Sequence, residues 1–200
     1  MNKQQLLNWV FSAYPNGHTE AVPATIHEAN RNYNQVKWIP PASGSICVNC
    51  DAAVVDNTPG VGIDFIWRRA DGHLISAGMS YLHSCCSPKM AEAWALWEAL
   101  NNLPATEISH FEIQSDCRML VEEITSKNRS LTADSTIIHK IKTLLENFTH
   151  VNIIHVKRTN NECANLLARK CLADKNSFSF YNSFPDWLVK FCKADHPFEL

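Results

Sequence analysis

Three acidic residues stand where an acid is either a local cap or a working group. Asp51 lies near the end of the β-favouring run Ile46-Cys47-Val48-Asn49-Cys50, and Asp116 ends a second such run, Phe111-Glu112-Ile113-Gln114-Ser115. A strand-end acid is most often a turn or helix cap, and a metal ligand is the alternative. Glu92 lies one to two turns into a helical stretch that is otherwise apolar, where a carboxylate costs free energy unless it is paired. Lys89, three residues earlier, could pair with it at the surface. If the three acids converge, their repulsion must be relieved by a proton or a cation. A set of oxygen ligands without thiolate or imidazole suits Mg2+ or Mn2+. A pair of such ions activates water and stabilises the leaving oxygen in phosphodiester cleavage.

The elements that would bring the acids together follow from hydrophobic periodicity. Pro40-Pro41 and Asp56-Asn57-Thr58-Pro59-Gly60 bracket the first strand. Val61, Ile63, Phe65 and Trp67 alternate with Gly62, Asp64, Ile66 and Arg68, as a second strand requires. Asp71-Gly72 is a hairpin turn that returns the chain through a third strand over 73–82. The Gly60-x-Gly62 pair marks a bulge or a close approach of another backbone. Ser87-Pro88 starts a helix over about 88–103 that is apolar around nearly its whole circumference, so it is expected to be buried on most sides. A strand over 111–116, helices over 117–126 and 134–148, a strand over 151–156 and a helix from about 160 follow in order. The order is β-β-β-α-β-α-α-β-α. Right-handed crossovers would lay the fourth strand parallel to the first, giving a five-stranded mixed sheet of order 3-2-1-4-5 flanked by helices. The switch point then falls between strands one and four, and open α/β sheets bind ligands at such switches. Asp51 and Asp116 are the acids at those two strands.

Bulk properties limit the alternatives. The chain has 200 residues, 46% hydrophobic and 19% charged, enough for one core-forming domain with extra chain. No stretch approaches the roughly 20 apolar residues of a membrane span, and the N-terminus has no secretory-signal pattern, so an intracellular protein is expected. Nucleus and cytoplasm are not distinguished. The net charge of −2 gives no broad basic field, which argues against tight nonspecific nucleic-acid binding. Eight cysteines are scattered through strand-like and helix-like runs, a pattern of reduced, buried thiols. Cys47 and Cys50 have zinc-knuckle spacing, but residues three apart on a strand face opposite ways. Residues 1–37 read as an N-terminal extension of a short helix plus linker. The main domain spans 38–173, and 174–200 form a tail, loop-like at first and then amphipathic, expected to pack on it.

The runs Val48-Asn49-Cys50-Asp51-Ala52-Ala53, Gly60-x-Gly62, Met90-Ala91-Glu92-Ala93 and Gln114-Ser115-Asp116-Cys117 resemble the type 1 ribonuclease H family. So does His155-Val156-Lys157-Arg158 through Asn161, Ala164, Leu167, Ala168 and Arg169. The resemblance is closest to the plant group of retroelement-derived, reverse-transcriptase-like RNase H domains and covers about 38–173 plus a tail near 185–195. It implies the RNase H-like fold and hydrolysis of the RNA strand of an RNA–DNA hybrid with Mg2+ or Mn2+. Separately, the chain is expected to be a monomer. The resemblance places Asp51, Glu92 and Asp116 as catalytic and metal-binding residues. The fourth family carboxylate falls at Asn165, whose amide offers an oxygen but no charge; Glu162, one turn earlier, is a possible substitute. The histidine that assists product release in some members has no counterpart before Asn161, and His155 reads as structural. Candidate nucleic-acid contacts are Asn49, Gly62, Lys157 and Arg158, with Arg68 and Arg69 as further phosphate contacts. Two functions follow: a hybrid-cleaving endonuclease, fully active or weakened by Asn165, or a catalytically inactive RNase H-like domain that binds nucleic acid or another partner.

Overall fold

A computed structural model describes residues 38–104, 110–126 and 135–197, so the expected N-terminal helix and linker lie outside the described residues. Three alternating runs form an antiparallel meander of β1 (Ile46–Val54), β2 (Val61–Arg69) and β3 (Leu74–Leu82). The second hairpin turns at Gly72, whose φ of +84° favours glycine. Helix α1 (Pro88–Asn101) begins as its sequence dictates, with Ser87 Oγ accepting from the Met90 N–H and Pro88 in the first turn. It crosses over to β4 (His110–Ser115), which is parallel to β1. Helices α2 (Arg118–Thr125) and α3 (Ser135–Leu145) lead to β5 (His150–His155), parallel to β4. Helices α4 (Glu162–Asp174) and α5 (Asp186–Asp195) complete the fold.

The 3-2-1-4-5 order is present, with one strand added. Residues Phe178–Phe180 form β6 against the outer edge of β3, so the sheet runs β5-β4-β1-β2-β3-β6. This corrects the expected five strands and the loop-like start of the tail. The unpaired edge of β3 supplies the driving force, and the Tyr81 N–H also donates to Ser177 Oγ at 2.9 Å. Three residues are too few to show a period in the sequence.

Strand alternation sorts the sheet into two faces. Val48, Cys50, Ile63, Phe65 and Trp67 pack against α1, α2 and α3. Ile66, Ala77 and Met79 pack against α4 and α5, through residues such as Leu167, Trp187 and Phe191. The tail is therefore part of the core, tied to the lead-in by the Trp38 N–H donating to the Asp195 carbonyl at 3.0 Å. Helix α1 is buried along most of its length, with Trp94 turned to solvent. None of the eight cysteines is in a disulfide; five are buried, and burial pushes the Cys47 and Cys171 thiols up to about 12.

Gly62 lets α4 lie directly on β2. A Cβ there would stand 2.6 Å from the Leu172 amide nitrogen and closer still to the Ala168 carbonyl oxygen, both backbone atoms that cannot swing aside. Gly62→Ala is expected to destabilise the domain by about 2–3 kcal/mol, read as a lower denaturant midpoint. An unchanged midpoint would mean that α4 is free to shift.

Candidate metal centre

The acids meet because β1 and β4 part company. Their parallel pairing runs from Ile46–Phe111 to Asn49–Gln114 and stops there. Strand β1 continues to Val54 paired only with β2, while β4 ends at Ser115. Asp51 is thus inside a strand rather than at its end, as the sequence had suggested, and it faces the opening left beside it. Asp116 follows β4 on a tight turn in which Ser115 Oγ accepts from the Cys117 N–H at 3.1 Å. Glu92 comes from the first half of α1. One carboxylate oxygen from each of Asp51, Glu92 and Asp116 lies within 4.8 Å of the others. Lys89, the alternative partner for Glu92, makes its 2.8 Å ion pair with Glu123 of α2.

The cluster is deep and short of donors. Asp51 is fully buried and Glu92 is 9% exposed. Neither oxygen of Asp51, nor Oε2 of Glu92, accepts from an N–H or hydroxyl of the protein, and the two carboxyls can bond only each other, through a shared proton. Burial, reinforced by Asp116, pushes the Asp51 carboxyl up to about 7. Burial, then Asp51 and Asp116, holds Glu92 well above the usual carboxylate range. Behind them Asp64, the strand partner of Asp51, accepts the Asp51 N–H at 3.1 Å, and burial raises its carboxyl strongly too. Buried carboxylate oxygens without donors, gathered from three elements, are what a hard divalent cation would satisfy, so the donor set fits Mg2+ or Mn2+.

This arrangement makes stability depend on pH. A carboxyl at 3.8 in the unfolded chain and about 7 in the folded one binds a proton more tightly when folded. Its stabilising contribution is complete below the unfolded value and is lost as pH rises through about 7. The metal-free protein should therefore unfold at a lower temperature at pH 8 than at pH 5, and millimolar Mg2+ should restore most of the loss at pH 8 and little at pH 5. Thermal unfolding at both pH values with and without Mg2+ checks this; an Mg2+ effect as large at pH 5 as at pH 8 would contradict it.

The remaining site residues divide sharply. Asn165 is half-buried on α4, and its Oδ1 accepts from Arg158 Nη2 at 3.2 Å. Glu162 lies outside the three-acid group. Lys157 and Arg158 are exposed at the turn between β5 and α4, and Arg158 is close enough to Asp51 and Glu92 to favour their charged forms. His155, the last residue of β5, is exposed. Asn49 and Gly62, expected at a nucleic-acid surface, lie inside instead. Gly62 is under α4, and Asn49 is fully buried between neighbours that use up its amide. Asn49 Nδ2 donates to Gln114 Oε1 at 2.8 Å and to Asn161 Oδ1 at 3.0 Å, and its Oδ1 accepts from Arg68 Nε and Nη2 at 3.1 and 2.9 Å. Arg68 is fully buried as well, so it cannot reach a phosphate, while Arg69 is exposed.

These buried residues support the acids from beneath. Asn161 Nδ2 donates to the Cys50 carbonyl at 2.9 Å and pins the first turn of α4 one residue before Asp51. Sequence reasoning misses the supporting parts played by Arg68, Gln114 and Asn161. The signal was there: polar side chains on the inward face of a strand must find partners.

A parallel–antiparallel sheet of this order, with acids at the β1/β4 switch, defines an RNase H-like domain. The chain belongs to the reverse transcriptase-like family, whose model matches residues 49–171. Among solved structures, RNase H1 of the halophilic archaeon Halobacterium salinarum aligns with a TM-score of 0.60 at 23% identity, over 66% of this chain and 99% of that one. The N-terminal RNase H domain of a Mycobacterium tuberculosis protein gives 0.59 at 17% identity, over 64% and 93%. LC11-RNase H1, isolated from compost and solved in complex with an RNA/DNA hybrid, gives 0.58 at 19% identity, over 66% and 98%. At these identities the likeness establishes the fold. No curated protein sequence matches the chain. Among the described residues, no helix is long and apolar enough to cross a membrane.

Proposed function

We propose that this domain binds an RNA–DNA hybrid and hydrolyses its RNA strand with the help of a divalent cation. The observation that carries the proposal is the convergence of Asp51, Glu92 and Asp116 with buried oxygens lacking donors. The structural neighbours are RNase H enzymes, and one of them holds an RNA/DNA hybrid. Asp51, Glu92 and Asp116 would hold Mg2+ or Mn2+, which when bound supplies the positive charge that draws in the scissile phosphate and acidifies the attacking water. The protein's own part is to fix the three carboxylates before substrate arrives. β1 and β2 hold Asp51 through its backbone N–H, α1 presents Glu92 from an apolar wall, and the Ser115 hydroxyl shapes the turn under Asp116. Lys157 and Arg158, exposed beside the centre, are the cations placed to meet backbone phosphates.

Asn165 favours a second reading, a domain that keeps the fold and binds nucleic acid without cutting it. An amide in place of a carboxylate removes one negative charge from the metal environment. The two readings separate in one assay. Wild type, Asp116→Asn and Asn165→Asp are incubated with a labelled RNA–DNA hybrid in Mg2+ and then Mn2+. Cleavage of the RNA strand by wild type, reduced about 10^3-fold in Asp116→Asn, is the expected result. No cleavage by wild type, with cleavage appearing in Asn165→Asp, would establish the second reading.

A further inference from the structure

Helix α4 lies along β1, and two contacts fix where its turns fall. Its first turn is held at Cys50 by the Asn161 side chain. Farther along, Ala168 and Leu172 back onto Gly62, whose strand partner is Ala53. Asn165 lies between these contacts, one turn beyond Asn161, and so falls at the level of Asp51 and Ala52. An acid at that level would add negative charge beside Arg158, which is itself close enough to Asp51 and Glu92 to favour their charged forms. The residue there is a neutral amide whose oxygen already accepts a hydrogen bond from Arg158. Arg158 opens the short 3-10 turn Arg158–Asn160 between β5 and α4, and its guanidinium reaches over to the second turn of α4. A fixed positive charge therefore stands beside the three carboxylates, where a second metal ion would otherwise need an acid to hold it.

We infer that Arg158 takes the place of a second cation: Asp51, Glu92 and Asp116 hold one divalent ion, and the Arg158 guanidinium, anchored on Asn165, supplies the remaining positive charge to the phosphate. The charges support this. Three carboxylates are balanced in formal charge by one divalent ion and one guanidinium, whereas two divalent ions beside Arg158 would leave an excess of two positive charges before the phosphate arrives. Guanidinium is permanently charged and offers a planar fork of donors suited to phosphate oxygens. Asn165 then has a use of its own. An aspartate there would draw Arg158 into an ion pair, while the amide holds it with one hydrogen bond and leaves its other donors for substrate.

The inference rests on the metal-centre reading, and its test does not depend on cleavage. Mn2+ is titrated into the full chain at pH 8 and the free ion is followed by its electron paramagnetic resonance signal. Wild type should bind one Mn2+ per chain. Arg158→Gln should bind one as well, with a dissociation constant about 5–10-fold lower, because a competing positive charge has gone. In the same variant, kcat on a hybrid should fall about 10^2-fold. Tighter metal binding with slower cleavage is a combination that a merely structural arginine would not give. Arg158→Gln combined with Asn165→Asp should bind two Mn2+. Two ions bound by wild type with similar affinity would overturn the inference. So would no Mn2+ bound by wild type, or unchanged or weaker binding in Arg158→Gln. If wild type binds one ion and cuts no hybrid, the nuclease reading fails while the Mn2+ affinities still decide the role of Arg158.

Discussion

Asp51→Asn is expected to stop hydrolysis of an RNA–DNA hybrid and, in the same protein, to raise the unfolding temperature of the metal-free chain at pH 8. Cleavage should fall about 10^3-fold or more, because the substitution removes the charge of the most buried member of the centre. The gain in stability has the same origin. At pH 8 the wild-type Asp51 carboxyl has lost its proton, since burial holds it at about 7, and a carboxylate then sits in the interior beside Glu92 and Asp116. An asparagine of nearly the same shape carries no charge there, and its backbone N–H still reaches Asp64. At pH 5 the gain should be smaller, because wild type has by then lost only the part of its stabilisation that goes between the unfolded value of 3.8 and pH 5, and the two proteins should converge below pH 4. Loss of activity with lower stability at pH 8 would instead mark Asp51 as a structural residue. A stability–function conflict at one buried acid is what a metal centre built in advance of its metal requires.

Arg68→Met should cost about 3–5 kcal/mol of folding stability, the largest effect expected of a residue outside the centre. Arg68 is fully buried between the sheet and the tail. Its guanidinium lies 3.8 Å from the centre of the Trp38 ring, donates twice to Asn49 and stands 3.6 Å from the Asp195 carboxylate. Removing it leaves the Asp195 carboxylate in the interior short of this cation and strips Asn49 Oδ1 of both guanidinium donors, with only the 4.0 Å Cys47 thiol remaining. The charge half of the cost can be separated. Arg68→Met with Asp195→Asn should be less destabilised than the two single variants sum to, by about 1–3 kcal/mol in urea unfolding. Strict additivity would show that the 3.6 Å pair contributes nothing. The same network passes from Asn49 through Asn161 to the carbonyl before Asp51, so Arg68→Met should also weaken Mg2+ binding in whatever fraction remains folded.

The three acids were legible in the sequence because each broke a local pattern. Glu92 interrupts an apolar helix, and Asp51 and Asp116 belong to the two strands that flank the predicted switch. The order 3-2-1-4-5 followed from element order and the handedness of crossovers, both properties of the chain as a string. What could not be read depends on which side chains meet in space. Asn49 and Arg68 look like surface polar residues until β2 is laid beside β1 and both are seen under α4 and α5. Asp64 was placed on its strand, yet its pairing with Asp51 needs the register between β1 and β2. The hydrogen bond from Arg158 to Asn165 spans a turn and a helix, so the sequence showed a missing carboxylate without showing what stands beside the amide. β6 escaped because its three residues pair through backbone groups, which leave no mark on composition.

Asp51, Glu92 and Asp116 together are expected to form a site for a divalent cation. Its most direct test is an anomalous difference map from crystals of the metal-free protein soaked in Mn2+ at pH 8. The expected result is a peak ligated by one or more oxygens from each of the three carboxylates, in the opening between β1 and β4. A map with no peak there, at a Mn2+ concentration that fills ordinary carboxylate sites, would contradict it.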